Sequence, residues 1–545
     1  MQLLKKEFKG YNVKSLTADL LSGITVAAVA LPLALAFGVS SGADAAAGLI
    51  TAIIAGLVIS LLSGGYYQIS GPTGAMAAIL MSVVAKYSMQ GVFIATFLAG
   101  IILVLCGVLK LGRLTSFIPM PVITGFTSGI AVIIALGQVD NFFGVTSQGD
   151  TAITKLLSYG TLGFSPNWTA VIMGLAVILF MIFFPKKWNA VVPSSLISII
   201  LATAAAMIFH LDVKPVGTIP TTLLPENRLT FAGLDLATIQ GLISPAFSIA
   251  ILGMIESLLC GASAGRMTGV PLDSDQELIA QGIGNMVLPF FGGIPATAAI
   301  ARTSVAIKSG AKTRLTGVFH ALALLVFMLA LSAVMSQIPL CALAGVLMVT
   351  AWRMNEWHAI RYMMKRKLKS SLVMFFATMI ATIVFDLTIA ILVGVGLAVI
   401  FLLARLSHLD IRYDKVDCDR LNIQDAHARE RLAGAMVCYV NGPIMFANAQ
   451  AVENMADKMK DQHTVFMSLR GVSDMDISGA QAMMHLADAL RALGTKLILT
   501  GMPEKAKTMA DRCGLTETVG EENFYYGMER AILDYHAAAL QQVTD

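Results

Sequence analysis

Ile69-Ser70-Gly71-Pro72-Thr73-Gly74-Ala75-Met76-Ala77-Ala78 decides the fold of this chain, because its pattern returns as Gly292-Gly293-Ile294-Pro295-Ala296-Thr297-Ala298-Ala299-Ile300-Ala301. Each copy sets a Gly/Pro break ahead of a small-residue helix inside very apolar sequence. A second pair lies downstream: Ile118-Pro119-Met120-Pro121-Val122-Ile123-Thr124-Gly125 and Ile338-Pro339-Leu340-Cys341-Ala342-Leu343-Ala344-Gly345. Pro72 and Pro295 are 223 residues apart, and Ile118 and Ile338 are 220 apart. Matched breaks at nearly one offset indicate two related halves. In membrane proteins such interrupted helices mark where a solute is held.

The surrounding composition is that of a polytopic membrane protein. Of 545 residues, 56% are hydrophobic and only 13% charged, with a mean hydropathy of +0.75; soluble domains carry about 25% charged residues. The net charge of +4 gives no nucleic-acid signature, since most basic residues outside the tail flank apolar spans. The six cysteines form no C-x-x-C pair, so neither a disulfide framework nor a zinc site is indicated. His210, His320 and His358 do not cluster at metal-ligand spacing, and no phosphate-binding Walker sequence supports ATP-driven transport. Met1 to Lys14 is basic and amphipathic and runs into a full span without a cleavage site, so a retained first helix is expected.

A spanning helix needs roughly 20 apolar residues. On that basis spans are expected near 17–38, 44–63, 72–86, 91–109, 119–139, 168–185, 190–209, 243–262, 278–291, 295–308, 314–335, 339–352, 370–385 and 387–406, seven per half. The third and tenth are short and read as half-helices starting near mid-membrane. Charge supports the count. Lys5, Lys6, Lys9 and Lys14 precede span one, and basic residues follow spans four (Lys110, Arg113), six (Lys186, Lys187), eight (Arg266), ten (Lys308, Lys312, Arg314) and twelve (Arg361 to Lys369). The intervening loops hold only Lys86, Lys155, Lys214 and Arg228. That alternation places both termini in the cytoplasm, and an odd span number per half inverts one half relative to the other.

The composition turns polar near Ser407. Strands are expected over 434–440, 464–468 and 496–500, with helices over 451–459, 478–492 and 504–513, which is a small α/β domain. The expected division is a transmembrane domain over 1–406, a linker over 407–433 and the α/β domain over 434–545.

The half-helix starts carry the candidate chemistry. A helix N-terminus leaves backbone N–H groups unpaired and bears partial positive charge, so two facing ends form an anion cradle. Thr73 and Gly74 occupy one start; Ala298, Ala299, Ile300 and Ala301 occupy the other. The alternative is a simple kink with close small-residue packing. Arg302, seven residues past Pro295, reads as a fixed positive charge roughly 10 Å into its helix; the alternative is a side chain snorkelling to the cytoplasmic face. Glu256 lies roughly 16 Å along a helix starting near Pro245 and reads as the proton site of anion–proton symport, or as a permanent partner of Arg302, with a sodium site left open. Phe37, after Pro32, is placed to wall the site. In the tail, Asp476 is an N-cap for the helix that Ser478 begins, and Ser478 is a candidate for phosphorylation.

With these residues in view, the chain resembles the sulfate permease family of anion carriers (SulP, also called the solute carrier 26 family). The resemblance runs through Leu31-Pro32-Leu33-Ala34-Leu35-Ala36-Phe37, Ser70-Gly71-Pro72-Thr73, Gly125-Phe126-Thr127-Ser128-Gly129, Gly253-Met254-Ile255-Glu256-Ser257 and Phe291-Gly292-Gly293-Ile294-Pro295 to Ala301-Arg302-Thr303. The tail resembles a STAS domain at Asn441-Gly442-Pro443-Ile444-Met445-Phe446-Ala447-Asn448-Ala449 and Asp476-Ile477-Ser478-Gly479. The wording around Glu256 and Pro295 is most similar to the bacterial C4-dicarboxylate carriers of the DauA branch. The resemblance implies a seven-plus-seven inverted repeat with core and gate domains, elevator-like movement, homodimers, and an anion site formed by Phe37, Thr73, Gly74 and Ala298 to Arg302. Some relatives carry hydroxyl side chains where this chain has Ile300 and Ala301. Ser478 matches the serine phosphorylated in stand-alone STAS proteins.

The resulting expectation is a multi-pass protein of the cell (inner) membrane, not an enzyme, without metal or organic cofactor. It takes up a small inorganic or organic anion with protons, a C4-dicarboxylate such as succinate or fumarate being expected first. Sulfate or bicarbonate symport with protons or sodium, and an uncoupled exchanger or channel, are the alternatives. A membrane-anchored regulator, whose STAS tail binds a cytoplasmic protein, is the reading from another class. Nucleobase transport is disfavoured by the tail and by Arg302.

Overall fold

In the computed structural model the described residues are all but 1–5, 114–117, 150–151, 186–192, 220, 231–235, 386, 422 and 545. Lys5, Lys186 and Lys187 of the charge pattern lie outside them. The chain divides into two compact units, Met1–Gly396 and Leu397–Asp545.

The first unit is built from apolar helices. They are α1 (Val13–Ser40), α2 (Ala45–Leu62), α3 (Gly74–Val108), α4 (Met120–Gly137), α5 (Trp168–Phe183), α6 (Ser194–Ile208), α7 (Leu236–Thr268) and α8 (Ser274–Val287). The series continues with α9 (Ile300–Lys308), α10 (Leu315–Met335), α11 (Leu340–Met354), α12 (Trp357–Lys365), α13 (Lys369–Val384) and α14 (Leu387–Leu406), the last running across the division between the units. Among the described residues, seven stretches are long and apolar enough to cross a membrane. Helix α3 breaks at Ser88 (φ 59°), so it supplies the expected third and fourth segments. With α12 set aside as too short and too charged, fourteen membrane segments result among the described residues. They sort into two groups that pack mainly within themselves: α1, α2, α3 and α7 to α10 in one, α4 to α6, α11 and α13 in the other, which α14 joins where Gly394 meets Val122 of α4 and Thr378 of α13. This is the seven-plus-seven arrangement with core and gate.

Small residues set these packings, as expected where lipid gives no hydrophobic drive between helices. A Cβ on Gly38 of α1 would lie 2.9 Å from the Gly48 nitrogen of α2, and one on Gly100 of α3 would lie 2.7 Å from the Gly282 oxygen of α8. Backbones approach there because no side chain intervenes. Before α1, the buried Glu7 carboxylate pairs with Arg314 at 2.7 Å. Burial pushes the Glu7 carboxyl above its ordinary value, with Arg314 pulling the other way. Asp19 accepts hydrogen bonds from Tyr11 Oη, the Lys312 and Thr313 nitrogens, and the Thr313 and Thr316 hydroxyls. The basic N-terminal stretch is thereby fastened to the turn between α9 and α10.

Three expected boundaries differ. Residues 295–299, expected as the start of span ten, are extended, and the helix begins at Ile300. The cause is local. Thr297–Ala298 (β2) pairs antiparallel with Ser70–Gly71 (β1), and the Ala299 nitrogen bonds the Ile69 carbonyl. Backbone groups committed to that ladder cannot join a helix. Helix α7 starts at Leu236 rather than near Pro245, which lies inside it. Finally, residues 407–433 are more than a linker. Asp410–Lys415 (β3) pairs antiparallel with Ala435–Asn441 (β4), giving the second unit an edge strand that its charged residues had hidden.

From β4 onward the second unit's sheet is parallel, in the order β3, β4, Thr464–Gly471 (β5), Lys496–Thr500 (β6) and Phe524–Tyr525 (β7). Ile477–Ala492 packs on it, capped by the Asp476 side chain, which accepts from the Gly479 nitrogen at 2.7 Å.

Candidate functional site

The β1–β2 ladder positions the site. Antiparallel pairing at Ser70↔Ala298 and Gly71↔Thr297 makes α3 and α9 leave the ladder in opposite directions, so both N-termini face its middle. A polar stripe on α8 holds the ladder in place. Asn285 bonds both the nitrogen and the oxygen of Ala296 at 2.9 Å. Gln281 donates to Ser70 Oγ and to Glu277 at 2.8 Å, and Glu277 accepts from Ser63 Oγ and the Gly64 nitrogen. From α2, Thr51 accepts from the Ile294 nitrogen at 2.8 Å. Sequence reasoning passed over Glu277, Gln281 and Asn285, although their spacing of four puts one polar stripe on an otherwise apolar helix.

Each candidate residue has a definite place. Thr73 is the N-cap of α3. Its hydroxyl accepts from the Met76 nitrogen at 3.4 Å and donates to Glu256 Oε2 at 2.9 Å. Gly74 begins the helix; a Cβ there would collide with Ile134 and lie 3.0 Å from Phe37 Cε1, so Phe37 does stand against this start. Ala298 belongs to β2 and Ala299 is the N-cap of α9, where sequence reasoning had both in the helix. No side chain caps α9. Its first bond runs from the Thr303 nitrogen to the Ala299 carbonyl, so the N–H groups of Ile300, Ala301 and Arg302 precede all intrahelical partners. Ile300 and Ala301 are exposed.

Arg302 is the third residue of α9, not one 10 Å along it, and is 2% exposed. It does not snorkel. Its Nη2 donates to the Pro72 carbonyl at 3.0 Å, joining the second half of the chain to the first. Its Nη1 is buried and has no protein partner among the described residues. A Cβ on Gly71 would collide with that nitrogen, so the guanidinium in this position packs directly against the Gly71 backbone. Glu256 is the twenty-first residue of α7, about 30 Å from its start; the carboxylate makes no ion pair with Arg302 among the described residues and is held by Thr73. At the next residue, Ser257 Oγ lies 2.7 Å from Thr297 Oγ1 and accepts from the Ala298 nitrogen, pinning α7 to the ladder. Ser478 lies apart, in the second unit, as the second residue of its helix.

Most of the first unit matches a known family model. Residues 16–381 match the sulfate permease family and residues 427–531 the STAS domain. The chain belongs to the sulfate permease family. It is therefore a membrane transporter and not an enzyme. YvdB of Bacillus subtilis (strain 168), whose name assigns it provisionally to sulfate transport, is 35% identical over 95% of this chain and 97% of its own. The bicarbonate transporter BicA of Picosynechococcus sp. (strain ATCC 27264 / PCC 7002 / PR-6) is 28% identical over 95% of this chain and 94% of its own. Among solved structures, the transmembrane domain of a cyanobacterial BicA superposes with a TM-score of 0.64 at 30% identity, covering 71% of this chain and 99% of that one. The murine Solute Carrier 26 family member A9 anion transporter, inward-facing, superposes at 0.82 over 97% of this chain and 93% of its own; at 18% identity it speaks to fold alone.

Proposed function

We propose that this sulfate permease family member is a secondary active carrier that holds a small oxyanion between the starts of α3 and α9, with Arg302 as the fixed positive charge and Glu256 as the coupling group. The observation carrying this is the buried, unpartnered Nη1 of Arg302 beside the uncapped N-terminus of α9. A guanidinium donor and backbone N–H groups aimed into one place are complementary to an anion. Gly74 and Ala298 to Ala301 add little bulk beyond Ile300, so the anion can approach the backbone, while Phe37 closes one side.

A single cation suits a compact anion such as sulfate or bicarbonate, the substrates in the names of the relatives. The C4-dicarboxylate reading retains its support from the DauA-like wording at 253–257 and 291–303. Coupling follows from charge. An ionised Glu256 repels an anion at the Thr73 end of the site, whereas a protonated one does not, so proton and anion favour each other's binding. Sodium at the Glu256–Thr73 oxygens is the alternative coupling ion, and uncoupled exchange the alternative mode. In this reading the core group moves against the gate group as an elevator, in homodimers in the cell inner membrane with both termini cytoplasmic. The STAS domain faces a cytoplasmic protein partner, and phosphorylation of Ser478 places negative charge at a helix start, where it is favourable.

Uptake into proteoliposomes under separate pH and sodium gradients tests this. Uptake is expected to rise as outside pH falls, and Glu256→Gln to lose that dependence. A variant transporting with unchanged pH dependence contradicts Glu256 as the coupling group.

A further inference from the structure

Helix α12 lies between two apolar helices, α11 and α13, yet is built differently from both. Ile360 and Met363 are buried against Phe375 of α13, with Trp357, Leu372 and Met379 around them. Most of the remaining residues of α12 and of the turn after it are exposed, and two kinds predominate. Tyr362, Met364 and Leu368 expose large apolar area (55%, 56% and 39%). Beside them Arg361, Lys365, Arg366, Lys367 and Lys369 are all exposed, five cations within nine residues. None of the five is in an ion pair among the described residues. The nearby carboxylate, Glu356, is engaged by Thr124 Oγ1 at 3.0 Å.

The turn after α12 concentrates this charge. Lys367 adopts a left-handed conformation (φ 50°), and the Leu368 nitrogen returns to the Met363 carbonyl at 3.1 Å. Non-glycine residues rarely adopt that conformation, and here it ends α12 within a run where Lys365, Arg366, Lys367 and Lys369 are all exposed. At the other end Trp352 and Trp357 lie 4.5 Å apart, with Trp357 Nε1 donating to the Trp352 carbonyl at 3.0 Å. Paired indoles, exposed apolar side chains and unneutralised cations on a short helix and its flanking turns between membrane segments are the chemistry of the lipid headgroup boundary.

We infer that α12 and the turn after it form a binding site for the phosphodiester headgroups of anionic phospholipids, with Tyr362, Met364 and Leu368 seated in the adjoining acyl region. The Thr124–Glu356 hydrogen bond ties this site to α4, whose Ile134 stands against Gly74 at the proposed anion site. Bound lipid thus anchors the gate group to the leaflet on the basic side of the membrane. Charge distribution alone orients the loop without requiring a bound lipid, and the experiment separates the two.

The test uses full-length protein carrying Trp168→Phe and Trp188→Phe, reconstituted in phosphatidylcholine vesicles. Quenching of Trp352 and Trp357 is read with brominated phosphatidylglycerol or brominated phosphatidylcholine at equal mole fraction. The anionic lipid is expected to bind about tenfold better, given the attraction of each basic residue near such a surface, with the preference falling as salt is raised. Lys365→Gln/Arg366→Gln/Lys367→Gln is expected to reduce it below about threefold on the same grounds. Equal quenching by the two lipids, a preference insensitive to salt, or an unchanged preference in the triple variant each overturns the inference. The salt titration on unaltered cations keeps the test decisive if the triple variant misfolds.

Discussion

Arg302 shows how far a residue can be read from sequence. That an arginine so near a Gly/Pro break is a candidate for the site was legible, because charge is costly within an apolar span. Its depth was not, because the β1–β2 ladder delays the start of α9 by five residues relative to Pro295. The guanidinium uses one arm on the Pro72 carbonyl and leaves the other without a protein partner. Lysine keeps the charge and loses the fork. Arg302→Lys is therefore expected to fold normally and to weaken anion binding by about ten- to a hundredfold, the range of a hydrogen bond to a charged group, as read by calorimetry on purified protein. Glu256 was legible as a lone carboxylate in an apolar span, but its distance along α7 was not, and its partner Thr73 lies 183 positions away, with no local pattern linking them. In the tail, Lys505 holds Asp474 below its ordinary value of 3.8. A lowered carboxylate contributes stability above its unfolded value and loses it as pH falls through the folded one. NMR titration of Lys505→Ala is expected to return Asp474 upward toward 3.8.

At the scale of elements, what held was whatever rested on apolar length; what slipped was helix starts set at Pro245 and Pro295 and strands that depend on pairing between distant segments. Two-residue strands such as β1 and β2 carry no periodicity to detect. Strand β3 (Asp410–Lys415) is mostly charged and reads as linker, because an edge strand exposes one face and much of the other. The polar stripe on α8 makes an element-scale prediction. Asn285→Ala leaves both backbone groups of Ala296 unpaired and is expected to cost about 1–3 kcal/mol. It is also expected to weaken anion binding, since Ala296 precedes the start of α9 by four residues; thermal shift and calorimetry on one preparation check both. For the tail, a fragment of residues 407–545 is expected to fold cooperatively by circular dichroism, whereas 434–545, lacking β3, is expected to lose much of its thermal midpoint.

Across the whole molecule, the inverted halves were legible because two independent signals agreed: repeated breaks at matching offsets and alternating basic loops. Substrate identity was not, because backbone dipoles and one guanidinium do not name an anion, and the small side chains at 298, 299 and 301 offer no hydrogen-bond code. The two compact units predict separable roles. Protein ending at residue 406 is expected to retain anion binding within about threefold, since the residues proposed to hold the anion all lie in the first unit; a loss of more than tenfold would place part of the site in the tail.

The central claim is that the starts of α3 and α9 hold the anion. Anomalous scattering tests it most directly, using a crystal of the transporter with selenate, or with bromofumarate if the dicarboxylate reading prevails. The account predicts a peak that places the anion's oxygens within hydrogen-bonding distance of Arg302 Nη1 and the Ile300 and Ala301 nitrogens, absent in Arg302→Ala. An ordered peak elsewhere in the first unit, or one unchanged by that substitution, would contradict it.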